Sequence, residues 1–210
     1  MGYPMAAVDL TQPLEPGMPV YPGDEPLQLW RSRELETDGY TNHRLNMGMH
    51  VGTHLDMPMH MVNDARYVRE LPLQRTMGPA TILDVRHQEQ IAWRPEYANI
   101  MRPLVLLWTG WDMYYGTPQY YTHPSVSLEF AERAWEAGMR LLAMDMPSPD
   151  GPPFPIHHFL FHHDVVIVEN VTGLGRIRDF ANPAFAAIPL NIQADASPVR
   201  AFAWDMHRAE

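Results

Sequence analysis

His50-Val51-Gly52-Thr53-His54-Leu55-Asp56-Met57-Pro58-Met59-His60 packs three histidines and an aspartate into eleven residues, all at even positions. Imidazole nitrogens with a carboxylate form a donor set for Zn2+ or, less selectively, Mn2+. The odd positions from Val51 to Met61 are apolar, apart from Thr53. This period of two predicts a strand presenting His50, His54, Asp56 and His60 on one face, with the other face in a core. A helix fits poorly. At about 100° per residue it would carry Asp56 and His60 away from the His50/His54 stripe, with Gly52 and Pro58 inside the segment. A straight strand at ~3.3 Å per residue would part His50 and His54 by ~13 Å, too far to share one ion. The chain is therefore expected to bend at Gly52, which tolerates unusual backbone angles. Three protein ligands leave an open position for water, the mark of a catalytic site. A lone histidine is more often a hydrogen-bonded core residue. Four ionisable groups on one face are harder to explain by packing, because burying them unpaired is costly.

A second segment, Ile156-His157-His158-Phe159-Leu160-Phe161-His162-His163-Asp164, precedes the apolar run Val165–Val168 and Glu169-Asn170. A carboxylate ending a buried strand needs a partner. A metal with imidazoles from the upstream pairs is one possibility. A helix end with solvated histidines and a glutamate paired to arginine is the other, and the residues alone leave both open.

Several elements must position these groups. Ala80–Val85, Leu104–Trp108, Leu141–Met144 and Val165–Val168 read as buried strands. Leu128–Ala137 reads as an amphipathic helix with Leu128, Ala131, Ala134 and Trp135 on one face, Ser127 as N-cap and Gly138 as stop. Phe185–Ile192 and Val199–Trp204 are expected to pair antiparallel around Ala194–Pro198. Pro16-Gly17 and Pro22-Gly23-Asp24 read as turns. The fold class is α/β: a strand-rich, mixed domain spanning residues 1–210.

The bulk numbers narrow the chemistry. A chain of 210 residues is most simply one domain, large enough to bury ~70% of its unfolded surface. A net charge of −10 argues against nucleic acid and anionic membrane surfaces as partners. The longest apolar stretch, Pro103 to Trp108, is too short to span a bilayer. Residues 1–20 lack the basic start and apolar core of a signal peptide, so the expected location is cytoplasmic. The chain has no cysteine, and all fifteen basic residues are arginine. Thiolate nucleophiles, Schiff bases and the phosphate-loop lysine are excluded. No G-x-S-x-G elbow appears either. Hydrolysis by metal-activated water remains.

His50-x-Gly52-Thr53-His54-x-Asp56-x-Pro58-x-His60 resembles the signature of the cyclase family of metal-dependent hydrolases, which includes bacterial kynurenine formamidase and isatin hydrolase. The resemblance extends to Val20-Tyr21-Pro22-Gly23-Asp24, Thr109-Gly110-Trp111, Asp145-x-x-Ser148-x-Asp150 and Glu169-Asn170. It implies a swivelling β/β/α fold, a homo-oligomer (dimer or higher) with sites near the interface, and one or two ions per chain. His50, His54 and Asp56 would hold the first ion. Asp56 would bridge to a second, completed by a later His and Glu twelve residues apart, which selects His157 and Glu169. His60 would be the acid/base.

Tyr21 stands where formamidases tend to carry tryptophan, and Met57 and Met59 also depart from the pattern, so the pocket shape is expected to differ. The implied substrate is a small-molecule amide: an aryl formamide such as N-formylkynurenine, or a strained cyclic amide or imide opened as isatin is. His60 would take a proton from water and pass it to the departing nitrogen. Tyr21, Trp30 and Tyr40 could supply stacking surface. The alternatives are an inactive metal-binding interaction protein and a Lewis-acid cyclase or dehydratase.

Overall fold

The computed structural model describes residues 7–206. Twelve strands are formed among the described residues: β1 (Val8–Asp9), β2 (Gln28–Arg33), β3 (Asn42–Asn46), β4 (His54–Asp56), β5 (Met77–Asp84), β6 (Gln90–Ile91), β7 (Leu104–Trp108), β8 (Ser125–Val126), β9 (Leu141–Met144), β10 (Val166–Glu169), β11 (Pro183–Pro189) and β12 (Ala196–Asp205). The α-helices are α1 (Leu35–Asp38), α2 (Leu128–Glu136) and α3 (Pro155–His162), joined by short 3-10 turns. The fold is mixed α/β and rich in strand, as expected. No helix among the described residues is long and apolar enough to cross a membrane.

The main sheet closes on itself. Its order is β12-β11-β5-β7-β9-β10-β4, β4 pairs back to β12, and β1 adds to β12. The neighbours β5, β7, β9 and β10 run parallel, while β4, β12 and β11 close the ring antiparallel. Parallel strands need crossovers that cover a face, so they read as continuous apolar runs. Leu104, Leu106 and Trp108 of β7 join one core cluster with Leu141, Val166, Val168 and Phe185. The alternate residues Val105 and Leu107 join a second cluster under Phe130, Ala134, Ile156 and Leu160 of the two longer helices. Each fully buried Val, Leu, Ile or Phe among them contributes about 1.5–3 kcal/mol.

The β7 and β9 ranges match the sequence reading. Helix α2 stops one residue earlier, with Ser127 accepting from the Phe130 amide at 3.1 Å. Leu128, expected on its packed face, is exposed. Strands β11 and β12 pair antiparallel as expected. The connection, however, ends at Asp195, and Ala196–Pro198 already belong to β12. They are recruited there because β4 pairs with them.

The signature is not one strand. Only His54–Asp56 are extended; His50 lies in the preceding turn and His60 closes a 3-10 turn, Pro58–His60. Pro58 explains the break, since it supplies no N–H for a strand ladder and suits the first position of a helical turn. Gly52 does provide the bend, at φ +69°. A Cβ there would sit 2.9 Å from Leu14 Cδ2. The alternation thus reported the packing of Val51, Leu55 and Met57, all buried, through a turn, a short strand and a turn.

Candidate metal centre

The site lies where the parallel strands end. Glu169 is the last residue of β10 and sits opposite His54 of β4. The segment after β9 carries Ser148 and Asp150, and α3 brings His157 in its first turn. His50 and His60 come from either side of β4. His50, His54, Asp56, His60, His157 and Glu169 all meet at one cavity of about 250 Å³, walled by Val20, Tyr21, Tyr121 and Phe154.

His50, His54 and Asp56 offer donor atoms that lie within 4.8 Å of one another, as do Asp56, His157 and Glu169. Asp56 is common to both groups. Its Oδ1 faces His50 Nδ1 at 2.8 Å and His54 Nε2 at 3.4 Å. Neither Asp56 Oδ1 nor His54 Nε2 makes an aligned hydrogen bond, although both are buried and His50 Nδ1 lies close to the former. Such orphaned atoms are expensive in a protein interior unless something pairs with them. His54 Nε2 and His157 Nε2 each approach Glu169 at 3.4 Å. His54 Nε2 and Asp56 Oδ1, buried and unpartnered, with His50 Nδ1 and His157 Nε2 beside the same carboxylates, fit a divalent ion of the zinc or manganese type.

The outward nitrogens explain how the rings are held. His54 Nδ1 donates to the Gly52 carbonyl at 2.8 Å. His157 Nδ1 donates to Asp150 Oδ1 at 2.6 Å. His50 Nε2 donates to Asp195 Oδ2 at 3.0 Å. Each ring thereby turns its other nitrogen towards the carboxylates, as metal-binding imidazoles do. Asp150 also accepts from the Ile156 amide at 2.6 Å, satisfying an N–H of α3 that has no intrahelical partner.

The electrostatics follow. Burial disfavours the charged forms of His50 and His157, yet adjacent carboxylates outweigh it and push both up to about 10. Burial opposes charge on Asp56 and Glu169 too, but the neighbouring imidazoles hold both below the usual carboxylate range. The cluster favours positive charge, whether as protons or as a metal ion. His60 goes the other way: burial and the nearby His50 lower its pKa.

Asp195 is the group that sequence reasoning missed. Its Oδ2 also lies 3.3 Å from His60 Nδ1, and the His50 and His60 rings stand 4.0 Å apart. It sits in the connection before β12, and nothing local marks it; only the β4–β12 pairing brings it here. Tyr21 lines the cavity as expected, but Trp30 and Tyr40 do not. They belong to the β2–β3 hairpin region, at 45% and 54% exposure. Thr109-Gly110-Trp111 serves the frame: Thr109 and Gly110 donate to Asp145, tying the ends of β7 and β9.

Residues 8–151 match the Cyclase family model, described as "Putative cyclase". The chain belongs to the cyclase family. Among curated members similar to this cyclase-family chain is the kynurenine formamidase of Bacillus mycoides (strain KBAB4), 34% identical over 203 residues, covering 92% of this chain and 95% of the relative. That of Bacillus cytotoxicus is 33% identical over 204 residues, with the same coverage. The isatin hydrolase A of Labrenzia aggregata shares the fold, with a TM-score of 0.85 at 22% identity over 97% of this chain and 94% of that one. A structure described as a potential metal-dependent hydrolase with cyclase activity gives 0.78 at 26% identity, covering 97% and 99%.

Proposed function

We propose that this cyclase-family chain is a metal-dependent amidohydrolase, cleaving the carbon–nitrogen bond of an aryl formamide or of a strained cyclic amide. The observation that carries this reading is the pair of orphaned buried atoms, Asp56 Oδ1 and His54 Nε2, encircled by imidazoles whose outer nitrogens are already engaged. In this reading His50, His54 and Asp56 hold one ion, and Asp56, His157 and Glu169 hold a second. Zn2+ or Mn2+ would supply Lewis acidity, bringing the pKa of water towards ~7 and polarising the substrate carbonyl.

The chain's own residues do the rest. Asp195 faces His60 Nδ1, which leaves His60 Nε2 to serve the cavity. That nitrogen takes a proton from water as the water oxygen bonds to the carbonyl carbon. It returns the proton to nitrogen as the C–N bond breaks, giving a carboxylic acid and an amine. An aniline-like nitrogen leaves more readily than an alkylamine. Tyr21, Tyr121 and Phe154 on the wall supply flat apolar surface for an aryl ring. The reading includes a homo-oligomer: hairpin β2–β3 is mostly exposed on both faces, with Trp30 on one and Leu45 on the other, each about half exposed.

The test is elemental analysis of purified protein, followed by assays with N-formylkynurenine, isatin and simple cyclic imides. Chelator-reversible turnover with a product heavier by one water, whether recovered whole or as two fragments, supports hydrolysis. Bound metal without turnover of any of them would favour a binding protein. Turnover without gain of water would favour a cyclase or dehydratase.

A further inference from the structure

Asn170 follows Glu169 directly and has no part in the proton transfer above. It is buried and held in the left-handed region at φ +58°. Non-glycine residues are uncommon there, and asparagine is among the few that tolerate it.

Every polar group of Asn170 is engaged. Its Oδ1 accepts from the Tyr120 hydroxyl at 2.7 Å. Its Nδ2 donates to the Gly52 carbonyl at 3.0 Å. Its own carbonyl accepts from Thr53 Oγ1 at 2.6 Å, and its amide donates to the Met146 carbonyl at 3.1 Å. The Gly52 carbonyl also takes the His54 Nδ1 hydrogen. One backbone oxygen is therefore pinned by Asn170 and, in turn, pins the His54 ring. Tyr120 at the far end of this chain of bonds lines the cavity.

We infer that Asn170 is a positioning residue which, through the shared Gly52 carbonyl, locks the His54 ring in the rotation that aims Nε2 at Asp56, and couples that rotation to the cavity wall through Tyr120. The inference rests on the reading of His54 as a metal ligand. Gly52 needs such a clamp. It sits in a left-handed bend whose carbonyl could otherwise turn, and the ring would turn with it.

The test measures Zn2+ and Mn2+ affinity by competition with a chromophoric chelator, beside thermal melting of the metal-free proteins. Asn170→Gly keeps the backbone conformation without strain. It is expected to weaken binding about 10- to 100-fold, the usual cost of removing a group that orients a ligand. Tyr120→Phe removes only the hydroxyl that orients the amide and should show a smaller loss of the same sign. If Asn170→Gly does not fold, Asn170→Asp keeps the Tyr120 bond and loses the donor to Gly52, so it should also bind more weakly. A merely structural Asn170 would lower the melting temperature and leave the affinity of the folded protein unchanged, which overturns the inference. His54→Ala separates the two readings. If it binds as tightly as wild type, the ligand assignment falls and this inference with it. If it loses metal while the Asn170 variants bind normally, only the role of Asn170 falls.

Discussion

Asp150 and His157 meet at 2.6 Å inside the protein, with the carboxylate capping the helix that carries the imidazole. The same side chain therefore sets where α3 begins and which way His157 faces. Asp150→Asn retains the shape and removes the charge. Metal affinity is expected to fall by roughly 10- to 100-fold at the position served by His157. Stepwise titration with two resolved affinities checks this. Loss confined to the other position would show that His157 is not a ligand.

His54→Ala should lose metal and turnover together, because His54 Nε2 has no partner besides the carboxylates it faces. Elemental analysis of the purified variant decides it. Metal content equal to that of wild type would sink the assignment.

His60→Ala should keep its metal and lose about 10²–10⁴-fold in kcat, the contribution of a positioned acid/base. Asp195→Ala should show a smaller loss of kcat at saturating metal, since it acts on His60 through one contact, and a weaker metal affinity through the His50 ring it also holds. Depleted metal in His60→Ala would instead make His60 a ligand. Unaltered turnover would require a different proton carrier.

Asp145 gives a pH signature of its own, outside the set of proposed metal donors. Burial pushes its carboxyl up to about 6, against the hydrogen bonds from Thr109 and Gly110. Between the ordinary value of 3.8 and about 6, the folded state holds more protons than the unfolded one. Stability contributed here therefore falls as pH rises through that window and levels off above it. A pKa difference of one corresponds to about 1.4 kcal/mol. Urea melts of wild type and Asp145→Asn across this range should show wild-type stability falling relative to that of the variant as pH rises. A constant difference would mean that Asp145 is already ionised throughout.

The strands buried on both faces were legible because β7 and β9 are unbroken apolar runs. The signature was legible as chemistry and misread as geometry: His50 and His60 reach Asp56 and Asp195 from turns, and only three residues between them are extended. Helix α3 was left open because its histidines differ in fate. His157 is buried at the site, whereas His158 is exposed. Hairpin β2–β3 gave no signal at all. Its positions are mostly exposed on both faces, so no core imposes an alternation of apolar and polar residues. Asp195 could not be found by spacing, because its neighbours in space belong to the other end of the chain.

The ring closes through β4, whose three residues pair with β10 on one side and β12 on the other. Both partners are distant in sequence, and so short a strand contributes few bonds to offset the loss of chain entropy on closure. Its docking should come late in folding. A divalent ion would then find its donors assembled only after the rate-limiting barrier. It should slow unfolding while leaving the folding rate nearly unchanged, which stopped-flow chevrons with and without metal would resolve. The segment richest in chemistry is then also the closing clasp of the barrel, and a bound ion would act on the lifetime of the native state.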